Sequence, residues 1–161
     1  MSSWYQSTGD ASEGRRVIYA AASALSLVAG LIHLWVTPEH LAEWWGYGAF
    51  FLVCASAQAL YAALLPSRRP GQVLLLSGII GNFAVVTLYV ATYTAGIPFF
   101  GPHAWEVEEV SAIGVAATAA ELALIVALVS LLDGVLRKRV VNALFVSGVV
   151  LWALGLLAIF A

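Results

Sequence analysis

Residues 17–37 read VIYAAASALSLVAGLIHLWVT and follow directly on Arg15 and Arg16. This stretch is long and apolar enough to cross a bilayer as a helix, which takes about 20 such residues. It contains one imidazole, His33, and no other ionisable group except Tyr19. Four more stretches of the same kind follow, at residues 45–65, 72–93, 112–132 and 140–161. Ala and Leu dominate them, and none alternates apolar with polar residues, so helices are expected and strands are not. Only helices satisfy the backbone of such isolated segments in hydrocarbon.

The chain has 161 residues, of which 62% are hydrophobic and 10% charged. That balance places it among integral membrane proteins, because a soluble domain of this size cannot hide so much apolar surface. The expected fold is an all-α integral membrane bundle of five transmembrane helices, residues 17–161, behind a polar cytoplasmic tail at 1–16. The arginines and the one lysine fall in three segments at alternate ends of the apolar runs: Arg15 and Arg16, Arg68 and Arg69, and Arg137, Lys138 and Arg139. The positive-inside rule then puts the N-terminus in the cytoplasm and the C-terminus outside, in a cell (plasma) membrane such as a bacterial inner membrane. The segment before residue 17 is polar and the span after it is full length, so it is expected to be retained rather than cleaved as a signal.

The inner connections SRRPG and DGVLRKR are short, so consecutive helices are expected to be antiparallel neighbours. The polar turn PEHLAEW, 38–44, should separate the first two helices, and Pro66 and Pro70 mark helix ends. The outer loop at 95–111 contains IPFFGPHAW and should fold back onto the end of the bundle. Trp35, Trp44, Trp45 and Trp105 sit at the outer boundary, as an interfacial aromatic belt would. The segments PEHLAEWW and GPHAWEVE each carry His-x-x-Glu and each lead into a helix. This admits a repeat of two helical hairpins plus one extra helix, against the alternative that Ala/Leu-rich helices align by chance.

All three histidines are expected at the outer side. His40 with Glu43, and His103 with Glu106, have the spacing that puts two side chains on one helical face. With His33 they form a candidate set for a divalent metal ion (Zn, Fe, Mn or Cu), since imidazole with carboxylate suits all four. Glu109, one turn past Glu106, is a candidate ligand, second-layer partner or proton-handling group. The alternative is that each His caps its own helix beside acidic residues. Two imidazoles could instead hold haem in an electron-transfer subunit, haem- or quinone-linked.

Glu121 is the sharpest single residue, a carboxyl midway along the fourth apolar run. A group so placed normally faces a bundle interior or a water-filled cavity, and marks a proton, ion or substrate path. Gln58 and Asn82 lie at comparable depth, with Tyr61 and Tyr89 on the same helices, and one polar midplane layer is expected. A neutral Glu121 bonded to Gln58 or Asn82 would serve as interhelical glue. With Glu109 it is the candidate catalytic or proton-carrying acid, and a proton-coupled carrier is a further alternative. Besides the lipid bilayer, a membrane-protein partner or a second copy is an expected contact.

Several classes are excluded. Net charge is −2 and no basic patch exists, so nucleic acid is not an expected partner. Cys54 is the sole cysteine and Met1 the sole methionine, which removes intrachain disulfides and thioether copper sites. No apolar run holds a lysine for a retinal Schiff base, and neither a phosphate-binding loop nor His-Glu-x-x-His is present.

Overall fold

The computed structural model describes residues 3–66 and 70–160, with side chains at 12–66 and 70–156. Five helices make up the fold: α1 Ser3–Glu43, α2 Trp45–Leu64, α3 Gln72–Thr94, α4 Ala112–Leu131 and α5 Gly134–Phe160. All five are long and apolar enough to cross a membrane. Arg68 and Arg69, and the last residue of the expected fifth span, lie outside the described residues.

Two helices start earlier than their apolar runs. The segment expected as a polar tail is helical from Ser3, continuous with α1. The DGVLRKR connection is likewise absorbed into α5, whose helix begins at Gly134. Polarity ends a membrane span, but it does not end a helix when Ser, Glu, Lys and Arg keep the backbone bonded.

The largest departure is at Pro38. The helix does not stop there but runs to Glu43, with Pro38 inside it. Proline removes one backbone donor, toward Leu34, and the helix tolerates that single loss. Beside it, the Thr37 hydroxyl donates to the His33 carbonyl at 2.7 Å. The expected seven-residue turn shrinks to one extended residue, Trp44 (φ −162°, ψ 137°), whose N–H reaches the His40 carbonyl at 3.0 Å. Helices α1 and α2 therefore form a tight antiparallel hairpin.

Packing centres on α1. It lies along α2 over most of that helix and also against α4, while α3 packs on α4. Helices α2 and α3 meet through long polar side chains, as where the Tyr61 hydroxyl donates to the Leu74 carbonyl at 3.0 Å. Helix α5 touches α3 and α4 only thinly. Sequence neighbours are therefore not always the closest neighbours in space. The apolar core gathers Ala22, Leu65, Leu75, Ile79, Leu124 and Leu128 toward the end that carries Arg15 and Asp133, called the basic end below. At that end Arg15 donates to the Leu131 carbonyl at 3.4 Å, placing a cation at the C-terminus of α4.

The loop at 95–111 covers the opposite end. Tyr47 donates to the Phe100 carbonyl at 3.1 Å, and Trp44 packs edge-on to Phe100 at 5.1 Å. Gly101, at φ +79°, sits where a Cβ would fall 2.3 Å from the Tyr47 hydroxyl. Ser111 then caps α4, accepting from the Gly114 N–H at 3.1 Å.

The α1–α2 hairpin depends on backbone approach. A Cβ on Gly48 would lie 2.7 Å from Leu41 Cα, so any side chain there must push two helices apart. Gly48→Val is expected to destabilise the protein by about 1–3 kcal/mol, the usual range for overpacking. Gly148→Ala, in open space on α5, should be neutral or slightly stabilising. Thermal unfolding in detergent reads both.

Candidate functional site

The centre of the bundle holds one ionisable pair. His33 Nε2 lies 2.9 Å from Glu121 Oε1. Both residues are buried, His33 to 4% exposure and Glu121 to 1%. The register of two antiparallel helices makes the contact. His33 is about 15 Å back from the Glu43 end of α1, and Glu121 is about 14 Å in from the start of α4, at 1.5 Å per residue.

A carboxylate only accepts, so one proton must lie between the two groups. Either the imidazole N–H donates to the carboxylate, or a protonated carboxyl donates to the imidazole lone pair. The net-neutral forms are acid with imidazole and carboxylate with imidazolium. Removing the shared charge balance leaves a lone anion in an apolar bundle, which is costly.

A second polar cluster lies one step toward the basic end. Ser26 Oγ donates to Gln58 Oε1 at 2.5 Å and approaches the Gln58 carbonyl at 2.9 Å. Gln58 Nε2 donates to Asn82 Oδ1 at 2.8 Å, and Asn82 Nδ2 donates to the Gly78 carbonyl at 2.7 Å. This ties α1, α2 and α3 together. Gly30 permits it, since a Cβ there would stand 3.0 Å from Gln58 Cβ and 3.2 Å from the Ala55 carbonyl oxygen.

The single midplane layer expected from the sequence is therefore two clusters. Gln58 and Asn82 bond each other and Ser26, while Glu121 pairs with His33. Tyr61 reaches the α3 backbone rather than sharing a cavity with Gln58. Tyr89 stacks on Tyr93 at 4.4 Å, and its hydroxyl is buried with no hydrogen-bond partner among the described residues. Ser26 was not picked out from the sequence. The signal was its spacing of seven from His33, which places both on one face of α1.

The expected outer histidine set divides into three. His33 belongs to the core pair. His40 lies on α1 rather than at the start of α2; its Nδ1 is 3.0 Å from the Val36 carbonyl and its ring packs on Phe51 at 4.2 Å. His103 stands in the loop, with Nδ1 2.8 Å from Glu106 Oε2 and Nε2 3.4 Å from Glu43 Oε1. Its pairing with Glu106 comes from a turn, in which the Glu106 N–H reaches the His103 carbonyl at 3.0 Å, and not from a helical face. Glu43 thus serves His103 and not His40. Glu109 is exposed in the extended segment before α4, apart from buried Glu121. Among the described residues, no three His, Cys, Asp or Glu side chains are placed to hold a metal ion. Of the histidines also expected as alternative haem ligands, His33 and His40 both pack on Phe51.

Breaking a buried pair strands its partner. His33→Ala is expected to lose about 3–5 kcal/mol, whereas replacing both members with Leu should be neutral or stabilising by about 1–4 kcal/mol. Unfolding of the single and double variants in detergent measures this. Compared with protein-family models, curated proteins and solved structures, the chain matches none, so its function has to be read from its own geometry.

Proposed function

We propose that this chain is a multi-pass protein of the cell membrane, N-terminus cytoplasmic and C-terminus outside, that passes protons across the bilayer through the His33–Glu121 pair. The single observation that carries this reading is the buried 2.9 Å contact between an imidazole and a carboxyl on two antiparallel helices. Ionisable groups at such depth are costly, and a hydrophobic pair of similar volume would hold α1 to α4 at least as well. Stability alone therefore gives little reason for them. A proton site does, because neutral and charged forms of the pair differ by the position of one proton. The Ser26–Gln58–Asn82 cluster extends hydroxyl and amide groups from that site toward the basic end.

The test uses full-length protein in phospholipid vesicles with a trapped pH-sensitive dye and a potassium gradient clamped by valinomycin. Wild-type vesicles are expected to conduct protons above the protein-free level. Glu121→Gln and His33→Phe should abolish the flux while the protein remains folded. Wild-type flux equal to empty vesicles would overturn the reading.

A second reading, binding of a divalent cation at the loop end, draws on exposed His103 standing beside both Glu43 and Glu106. It requires a rearrangement, since the two carboxylates meet opposite ring nitrogens. Stoichiometric Zn, Fe, Mn or Cu in purified protein, lost in His103→Ala, would favour it.

A further inference from the structure

Seven residues make almost two helical turns, so Ser26, His33 and His40 form one column on α1 with successive members about 10 Å apart along the axis. Ser26 and His33 are buried, and His40, nearer the loop, is half-buried. Phe51 of α2 packs against both imidazoles, with ring centroids 5.8 Å from His33 and 4.2 Å from His40. It is the aromatic ring in contact with the two of them.

His40 is committed on one nitrogen only. The Val36 carbonyl accepts and cannot donate, so Nδ1 carries the hydrogen of that 3.0 Å bond. The neutral ring then keeps its lone pair on Nε2, where a proton can add. The ionisable groups on the elements at this end are Glu39 and Glu43 on α1 and His103 with Glu106 in the loop, where His103 meets Glu43 at 3.4 Å, while α2 packs on the ring with Phe51 and contains no charged residue.

The geometry points to His40 as the group that takes up protons at the loop end, and to Phe51 as the gate between it and the His33–Glu121 pair. This rests on the proton-transfer reading above and adds to it the entry side and its control. A proton from solvent adds to His40 Nε2, making the imidazolium. With the Phe51 ring turned aside, water reaches the gap of about 10 Å, and that proton passes to the pair. The pair gives up the proton it held to water entering on the Ser26 side, which carries it toward the basic end. His40 returns to neutral, and only N–H and O–H bonds are made and broken. With the ring in place the two imidazoles are separated, which prevents an unregulated leak.

A rival entry lies between α3 and α4. Tyr89, with its buried unpartnered hydroxyl, borders Gly114, whose added Cβ would fall 2.8 Å from the tyrosine ring. Gly114 is also seven residues from Glu121. Tyr89→Phe therefore separates the two routes.

The experiment is the vesicle flux assay, paired with infrared difference spectra of the Glu121 carboxyl, assigned by its loss in Glu121→Gln. His40→Ala should slow flux by about 100-fold, the lower range for a placed proton-transfer group. Its carboxyl signal at equilibrium should persist, showing that fold and pair are intact. Added imidazole should restore the flux, which a merely structural role would not allow. Phe51→Ala should raise the flux above wild type. Wild-type flux in His40→Ala, or the slowing appearing in Tyr89→Phe instead, overturns this proposal. Flux that survives Glu121→Gln removes the earlier reading, and this one with it.

Discussion

In an apolar bundle no solvent satisfies a polar side chain, so each one must find its partner on another helix. That constraint organises this fold. His33 and Glu121 hold α1 to α4, and Ser26, Gln58 and Asn82 hold α1 to α2 and α3. Each contact demands a particular register between helices. Apolar packing alone would tolerate a slide of one residue, but the His33–Glu121 pair and the amide chain would not, because their hydrogen bonds are short and directional.

Helix α1 is the spine that results. Its buried face carries Ser26, Gly30, His33 and Thr37, and its neighbours are chosen by what that face presents. Gly30 brings α2 close enough for Ser26 to reach Gln58. The smaller residues of α4 leave Glu121 free to face His33. Helix α5 packs thinly on α3 and α4, and among the described residues no side-chain hydrogen bond ties it to another helix. The loop end is fastened differently, by aromatic contacts among Trp44, Tyr47 and Phe100 and by exposed His103 between Glu43 and Glu106. Rigid core and covered end together give the proposed proton site a defined depth and a defined approach.

Much of this was legible before any coordinates. The five apolar runs match the five helices because span length follows from bilayer thickness. The exceptional status of Glu121 was legible too, since a carboxyl amid TAA and LALIV has no cheap environment. The partner was not. His33 read as a member of an outer cluster because its span was expected to end at Thr37, four residues later. With α1 continuing through Pro38 to Glu43, the same histidine lies inside the helix, opposite Glu121. The outer histidines part for a related reason. His103 and Glu106 meet through a turn rather than on a helical face, and His40 turns to its own backbone.

What the sequence determined by itself is therefore everything set by composition and period: the class, the number of helices, their apolar extents and the costliness of one buried acid. These follow from local rules of hydropathy and helical geometry, which act within a single segment. What only the tertiary structure decided is which groups meet: His33 with Glu121, Ser26 with Gln58, His103 with Glu43, and Phe51 against two imidazoles. Those pairings depend on register and rotation between helices far apart in the chain, and no rule acting within one segment contains that information.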